Sequence, residues 1–449
     1  MFKRLIFMML VVFNSSNLFA TTLEHYQSML QPSEAKKDIE QWLDFIDKTH
    51  PDLAYTTKDI DAFYQQVNQF KNSINEPISV RDFWLKMMTY NSIISDGHVS
   101  LTPSKRDALI DDYLKNNGTF FPFHVVFQDE QLLIKEKLNG QSSNLSGHEI
   151  TKINGITIDT ILAQLLKRTH GDSDNQRKAL LAPRFSFYYW LYFGEYKTFT
   201  LDLKTAEKTL VNLSFDAVNE IKGNVDSFDA NFQFSVLNNK TALLTLNTFS
   251  WRKDEARVFK FLQSAFLTIK DQQLSHLIID IRRNGGGDDN IWIKGILANI
   301  ADKPWRTGSD YKVKVLAGRE NKGQKAGDVV SGEISTIQQV QQDNPLMFNG
   351  KVSVLVGPYT YSSSILFMNV MQDYGFGELV GDKTGGKSGQ TGGTQYLTLT
   401  HSNLLAVVPR FLLSRPKGGH NLERSTLDIQ IDYDQTKPYE LIDKLLAQQ

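Results

Sequence analysis

The 449-residue chain contains no cysteine. That removes disulfides, a thiol nucleophile, thiolate metal sites and a lipidated amino-terminal cysteine from consideration. Neither sign of charge is in excess: 49 Lys and Arg against 50 Asp and Glu leave a formal net charge of −1. No basic stripe stands out, so nucleic acid is not an expected partner. Metal hydrolysis has no support, since no His-Glu-x-x-His occurs and the nine histidines are scattered. After the first twenty residues no apolar run is long enough to cross a bilayer. What is present is ordinary for a globular protein, with 41% apolar and 22% charged residues and length for about three domains.

The first twenty residues differ from the rest. Lys3 and Arg4 precede an apolar run from Leu5 to Phe13, then polar Asn14 to Asn17, and finally Ala20. This is the layout of a signal peptide over residues 1–20, although Leu18 stands where a small residue is usual. An uncleaved anchor is the alternative, for which the run is short. The expectation is an exported protein, periplasmic or secreted, with no membrane span after signal removal.

Three further regions follow. Residues 21–105 carry apolar residues at helical spacing, as in Ile39, Leu43 and Phe45, predicting helices over 35–48, 58–72 and 80–94. Ser95, Asp96, Gly97 and His98 then read as a turn into a strand. Residues 106–222 change to short strands, at Phe123–Phe127 and Gln131–Lys135, with one helix at 158–167. Gly147 through Gly155, ending Ile153-Asn154-Gly155, resembles the peptide-binding PDZ fold, without that fold's recognisable carboxylate-binding loop; a β-rich spacer is the plainer alternative. Residues 223–449 alternate strand and helix: Thr241–Leu246, a helix over 254–269, the buried strand His276–Ile281, then a helix over 290–300. That pattern predicts an α/β domain with largely parallel pairing.

The chemistry-bearing residues cluster in this last region. Val352 to Val356 reads as a strand stopped by Gly357-Pro358, followed by Ser362, Ser363 and Ser364 and an apolar helix ending at Gly375. A serine at such a turn presents its hydroxyl, and amides at a helix start can stabilise an oxyanion. Lys387 then arrives in a glycine-rich turn, within reach of that hydroxyl in principle. Serine needs a base, and lysine serves only when neutral, which demands burial or neighbouring charge. Gly285–Gly287, directly after a buried strand, can turn amides towards a ligand, so Gly286, Gly287 and Ser363 are the candidate oxyanion donors.

Taken together, Ile278–Gly287, Val354–Val356 with Thr360–Ser364, Met371–Gly375 and Val380–Lys387 resemble the carboxyl-terminal processing (tail-specific) serine peptidases. The resemblance implies a crotonase/Clp-protease-like α/β core behind a helical amino-terminal region and a PDZ-like domain. It places Ser362 as nucleophile, Lys387 as general base, and Asp373 and Gln390 as supporting residues. It also implies polypeptide substrates engaged near their carboxyl termini, and no cofactor; it leaves oligomeric state open. Two positions depart from the family pattern: Ile365 replaces a glutamate, and Gln390 follows the lysine by three rather than four. Relatives similar to the tricorn protease use a histidine, which makes His98 the alternative base and Glu423 a distant orienting candidate. A non-catalytic carrier of the same fold, as in the interphotoreceptor retinoid-binding proteins, is the rival from another class. Gly381 through Ser388 also satisfies a phosphate-loop pattern, but the sequence after it reads as a strand where that loop needs a helix.

Overall fold

The computed structural model describes residues 22–221, 227–419 and 422–448. The expected signal segment and the boundary at 222/223 lie outside the described residues. Among the described residues no helix is long and apolar enough to cross a membrane.

The amino-terminal helices form where the apolar spacing put them. Pro32–Thr49 opens with proline in its first turn, where the missing N–H is no loss, and Glu34 reaches back to the Gln31 N–H at 2.8 Å. Ala35, Ile39, Trp42 and Ile46 recur along one face and are buried. Ile60–Ser73 and Val80–Met87 follow, capped by the side chains of Asp59 and Ser79. The third helix stops earlier than its spacing predicts and tightens into a 3-10 turn over Met88–Ser92. Buried Asn91 lies in that turn, donating to the Leu101 and Arg168 carbonyls and accepting the Leu101 N–H. The chain then turns through Ser95–His98 into the strand Ser100–Pro103, which pairs antiparallel with Leu404–Val408. Some three hundred residues of sequence separate those two strands, and their pairing carries His98 across to the last third of the chain.

The middle region is an antiparallel sheet of Phe123–Gln128, Gln131–Lys137, Glu149–Ile153, Thr198–Lys204 and Leu210–Asp216, neighbours in that order. The helix Ile158–Leu166 matches its expectation. The apolar spacing predicts neither Asp174–Leu181 nor Phe185–Phe193. Phe185–Phe193 is apolar on every side because it is surrounded, with Phe185 through Leu191 all buried. The amino-terminal helices, this sheet and Leu404–Val408 share one hydrophobic core.

The last region has a six-stranded central sheet. Its order is Phe232–Val236, Thr241–Leu246, His276–Asp280, Lys351–Val356, Glu378–Gly381 and Ile429–Gln430. Only the first pairing is antiparallel. Parallel strands buried on both faces need nearly continuous apolar runs, and Leu277–Ile279 and Val354–Val356 supply them, while buried Ser353 is satisfied by His276 Nε2 at 3.0 Å. The helices Glu255–Asp271 and Ser363–Tyr374 are crossovers between neighbouring strands and pack on one face of the sheet. A smaller sheet of Val329–Glu333, Asp310–Lys314, Phe411–Leu413 and Gln390–Gly392 lies alongside. The glycine-rich run to Ser388 therefore leads into the strand Gln390–Gly392, not the helix a phosphate loop requires.

The glycine triplet follows the strand His276–Asp280 and is pinned largely by backbone bonds. The Phe249 N–H donates to the Gly286 carbonyl, and the Asp288 N–H donates to the Phe249 carbonyl. A Cβ on Gly287, whose φ is 149°, would sit 2.2 Å from the Phe249 carbonyl carbon and oxygen. Gly287→Ala is expected to destabilise the protein by roughly 2–4 kcal/mol, from overpacking and backbone strain together. Chemical denaturation would show it as a lowered midpoint; an unchanged midpoint would contradict this account of the loop.

Candidate active site

Ser362 occupies the sharp turn between the strand Lys351–Val356 and the helix Ser363–Tyr374. Its backbone stands at φ 56° and ψ −127°, a region where a side chain is strained by about 1–3 kcal/mol. Surrounding bonds hold it there. Thr360 Oγ1 donates to the Ile281 carbonyl and accepts the Gly357 N–H, while the Tyr361 N–H donates to the Asn284 carbonyl. The Ser362 N–H donates to Gln390 Oε1 at 3.0 Å, and Gln390 Nε2 donates to the Lys387 carbonyl at 2.6 Å. Gln390 thus ties the nucleophile turn to the Lys387 loop.

His98 Nε2 lies 2.9 Å from Ser362 Oγ. The surrounding groups fix its tautomer. Thr391 Oγ1 donates to Asp96 Oδ1 at 2.8 Å, so its oxygen is left to accept from His98 Nδ1 at 3.0 Å. Tyr361 OH donates to Asp172 and likewise presents only its lone pairs to Nδ1, at 3.2 Å. The proton therefore sits on Nδ1, and Nε2 is the free base facing the serine. Asp96 is fully enclosed. It accepts the His98 N–H at 2.7 Å, and its Oδ2 faces His50 Nε2 at 3.4 Å. His50 Nδ1 accepts the Asp52 N–H, which leaves Nε2 as the donor. Burial opposes the Asp96 charge, but the hydrogen bond from His50 and the electrostatic pull of the two neighbouring imidazoles bring its carboxyl down to about 2. Burial pushes the His98 imidazole below its ordinary value, with Asp96 pulling the other way. At neutral pH the ring is neutral, as a base must be.

Lys387 is placed differently from the expected Ser/Lys pairing. Its Nζ donates to the Ser95 carbonyl at 2.9 Å and stands 5.1 Å over the Tyr55 ring. Those are partners for an ammonium group, whereas a base must aim a lone pair at the hydroxyl. Among the described residues no hydrogen bond joins Lys387 to Ser362, and His98 fills that position.

The oxyanion candidates separate as well. The Gly286 N–H donates to Asn284 Oδ1 at 2.9 Å, so it is not a free donor, which corrects that expectation. Gly286 instead lets the loop lie against the nucleophile: a Cβ there would meet Ser362 Cβ at 2.6 Å and Ser363 N at 3.0 Å. The Gly287 and Ser363 amides take no acceptor among the described residues, and Ser363 opens its helix, where an orphan N–H is intrinsic. Ser363 Oγ is bonded to Asp289 and Trp292, locking that end of the helix.

Asp373 lies at the other end of the same helix. It is paired with Arg415 and accepts the Lys417 N–H at 3.0 Å, anchoring the helix to the chain after Phe411–Leu413. Glu423 is exposed and meets the site only through its carbonyl, which accepts the Ser388 N–H. Thr391, Asp172 and His50 carry no sequence signal of a role, while Tyr361 and Asn284 lie within the resembling segments but are not singled out by them. Asp96, two residues before His98, had the nearest thing to one.

A strained serine on a strand-to-helix turn, an imidazole on its hydroxyl and two open amides are the arrangement serine hydrolysis requires. Residues 240–434 match the family model of Peptidase family S41. No curated protein sequence matches the chain significantly. Among solved structures the chain is similar to mature CPAF, at 12% identity with a TM-score of 0.65, covering 93% of this chain and 96% of that one. Mature CPAF complexed with lactacystin gives 12% identity and a TM-score of 0.67, covering 93% and 97%. The photosystem II D1 C-terminal processing protease gives 16% identity and a TM-score of 0.47, covering 89% and 93%.

Two outcomes check this geometry. Because its φ and ψ suit glycine, Ser362→Gly should be more stable than Ser362→Ala by about 1 kcal/mol, read by thermal or denaturant unfolding. The reverse order would remove the strain. Asp373→Ala should cost about 3–5 kcal/mol by leaving the mostly buried Arg415 charge unpaired, while kcat/KM of the folded enzyme changes little. A large loss of kcat/KM with stability intact would make Asp373 part of the chemistry.

Proposed function

We propose that the protein is an exported endopeptidase in which Ser362 is the nucleophile and His98 the general base. The observation that carries this reading is the 2.9 Å contact between His98 Nε2 and Ser362 Oγ, with Nδ1 held as the protonated nitrogen. Ser362 Oγ attacks a peptide carbonyl as its proton passes to Nε2. The imidazolium so formed keeps its Nδ1–H on Thr391, whose own hydrogen bond runs to the Asp96 carboxylate. The Gly287 and Ser363 amides receive the oxyanion. Collapse expels the amine, which takes the proton from Nε2, and leaves an acyl-serine. Water then repeats the sequence, giving its proton to Nε2 and freeing the carboxyl product and Ser362.

Polypeptides are the substrates of this reading, engaged near their carboxyl termini as the name of the resembling family suggests. Export is supported by the basic, apolar and polar order of the first twenty residues. The peptide-binding role of the middle sheet rests on the Gly147–Gly155 resemblance. In this scheme Lys387 positions the histidine turn through Ser95 and takes no proton from Ser362.

Processing of an unstructured polypeptide separates the roles. Ser362→Ala should abolish turnover, and His98→Ala should lower it by about 10²–10⁴-fold. Lys387→Met should lose no more than roughly tenfold, the equivalent of one hydrogen bond. Thr391→Val should lose on the order of tenfold for the same reason, and Thr391→Ser should restore most of it. Turnover that survives His98→Ala but vanishes in Lys387→Met would return the base to the lysine.

A further inference from the structure

Asp172 lies between the helices Ile158–Leu166 and Asp174–Leu181, in the middle region and far in sequence from every residue of the proposed chemistry. Its carboxylate nevertheless reaches three of the segments that make up the site. Oδ1 accepts the Gly97 N–H at 2.7 Å and the Tyr361 hydroxyl at 2.9 Å, and Oδ2 accepts the Lys387 N–H at 2.9 Å. These belong to the histidine turn, the nucleophile turn and the glycine-rich Lys387 loop. Local bonds fix the carboxylate in turn: the Asp172 N–H donates to Gln176 Oε1 at 2.7 Å, and Ser173 Oγ donates to the Gly385 carbonyl at 2.7 Å.

Resting on the Ser362–His98 reading, we propose that Asp172 is the positioning residue that assembles the active site, gathering the three catalytic loops onto one carboxylate supplied by the middle region. Gly97 held by Asp172 and Ser95 held by Lys387 Nζ flank Asp96 on both sides, so the turn that aims His98 cannot rotate freely. By taking the phenol proton, Asp172 also makes Tyr361 an acceptor for His98 Nδ1. The carboxylate sits here at a cost. Burial and the Asp96 charge raise Asp172 to about 6, against the Lys387 charge and the two amides. The other titratable groups facing it are Tyr361 and Tyr55, with His98 reached through the Tyr361 hydroxyl.

The sign of the pH effect follows. A carboxyl whose folded pKa is raised from 3.8 to about 6 stabilises the fold below about pH 4, and that contribution is lost as pH rises through about 6. Ionised Asp172 therefore costs stability at neutral pH while it organises the site.

Asp172→Asn keeps the shape but turns an amide donor towards the Lys387 N–H. Three readouts on the full-length protein test the proposal. Hydrogen exchange in segments 95–98 and 385–388 should quicken by about tenfold or more, a readout that needs no turnover. On an unstructured polypeptide kcat/KM should fall roughly 10- to 100-fold, the range for one buried donor left unpaired, and its acid limb should move below the wild-type position near pH 6. The melting temperature should lose the decline that Asp172 imposes on wild type between pH 4 and 7. If the Asn variant does not fold, Tyr361→Phe removes one of the three bonds and should loosen segment 95–98 alone. Wild-type exchange in both segments together with an unmoved acid limb, or wild-type exchange at 95–98 in Tyr361→Phe, would overturn the proposal. Failure of the Ser362–His98 reading would appear separately, as turnover that survives Ser362→Ala or His98→Ala.

Discussion

The contact on which everything else depends is His98 Nε2 to Ser362 Oγ, across 264 positions of sequence. The proposed nucleophile belongs to the α/β sheet region, and the proposed base belongs to the turn that follows the amino-terminal helices. Neither half contains a working pair. The pairing of Ser100–Pro103 with Leu404–Val408 brings the turn to the right neighbourhood, and the shared core beneath it makes that docking firm. Polar contacts then settle the final orientation, through Thr391 and Asp96 on one side of the imidazole and Tyr361 and Asp172 on the other.

Each group in this arrangement is disfavoured by itself. Ser362 holds a strained backbone, Asp96 a charge out of water, and Asp172 a second carboxylate nearby. They persist because rigid elements over-determine them: a crossover helix, a buried parallel strand, and a glycine loop with no space for a Cβ. The largely enclosed imidazole is kept neutral by its surroundings and keeps its Nδ1 proton by the acceptors around it. Structure and reactivity thus come from the same contacts.

Much of the fold was legible in the sequence. The alternation after Thr241 predicted a largely parallel sheet, and helical spacing found the amino-terminal helices, because these patterns record burial directly. Phe185–Phe193 escaped, since a helix buried on all sides has no polar face to give it a period. For the site, local motifs pointed to Ser362, Lys387 and His98, because turns and glycines are local features. Choosing between two bases was beyond such motifs: it depends on where a lysine ammonium ends after folding, here on the Ser95 carbonyl and the Tyr55 ring. Thr391 and Asp172 were silent for the same reason, each an ordinary polar residue until long-range packing gives it partners. Gly286 shows the opposite error, a glycine correctly singled out but needed for close approach rather than for its N–H.

The central claim is that a neutral imidazole, not a lysine, activates Ser362. The most direct measurement is the rate at which an irreversible serine-directed phosphonate labels Ser362, followed across pH. The expected rate is level through neutral pH and falls only below about 6.5, as Asp172, at about 6, and His98, lowered by burial from its ordinary value, take up protons. A rate that climbs steadily from pH 7 towards 10, as deprotonation of an amine would produce, would contradict it.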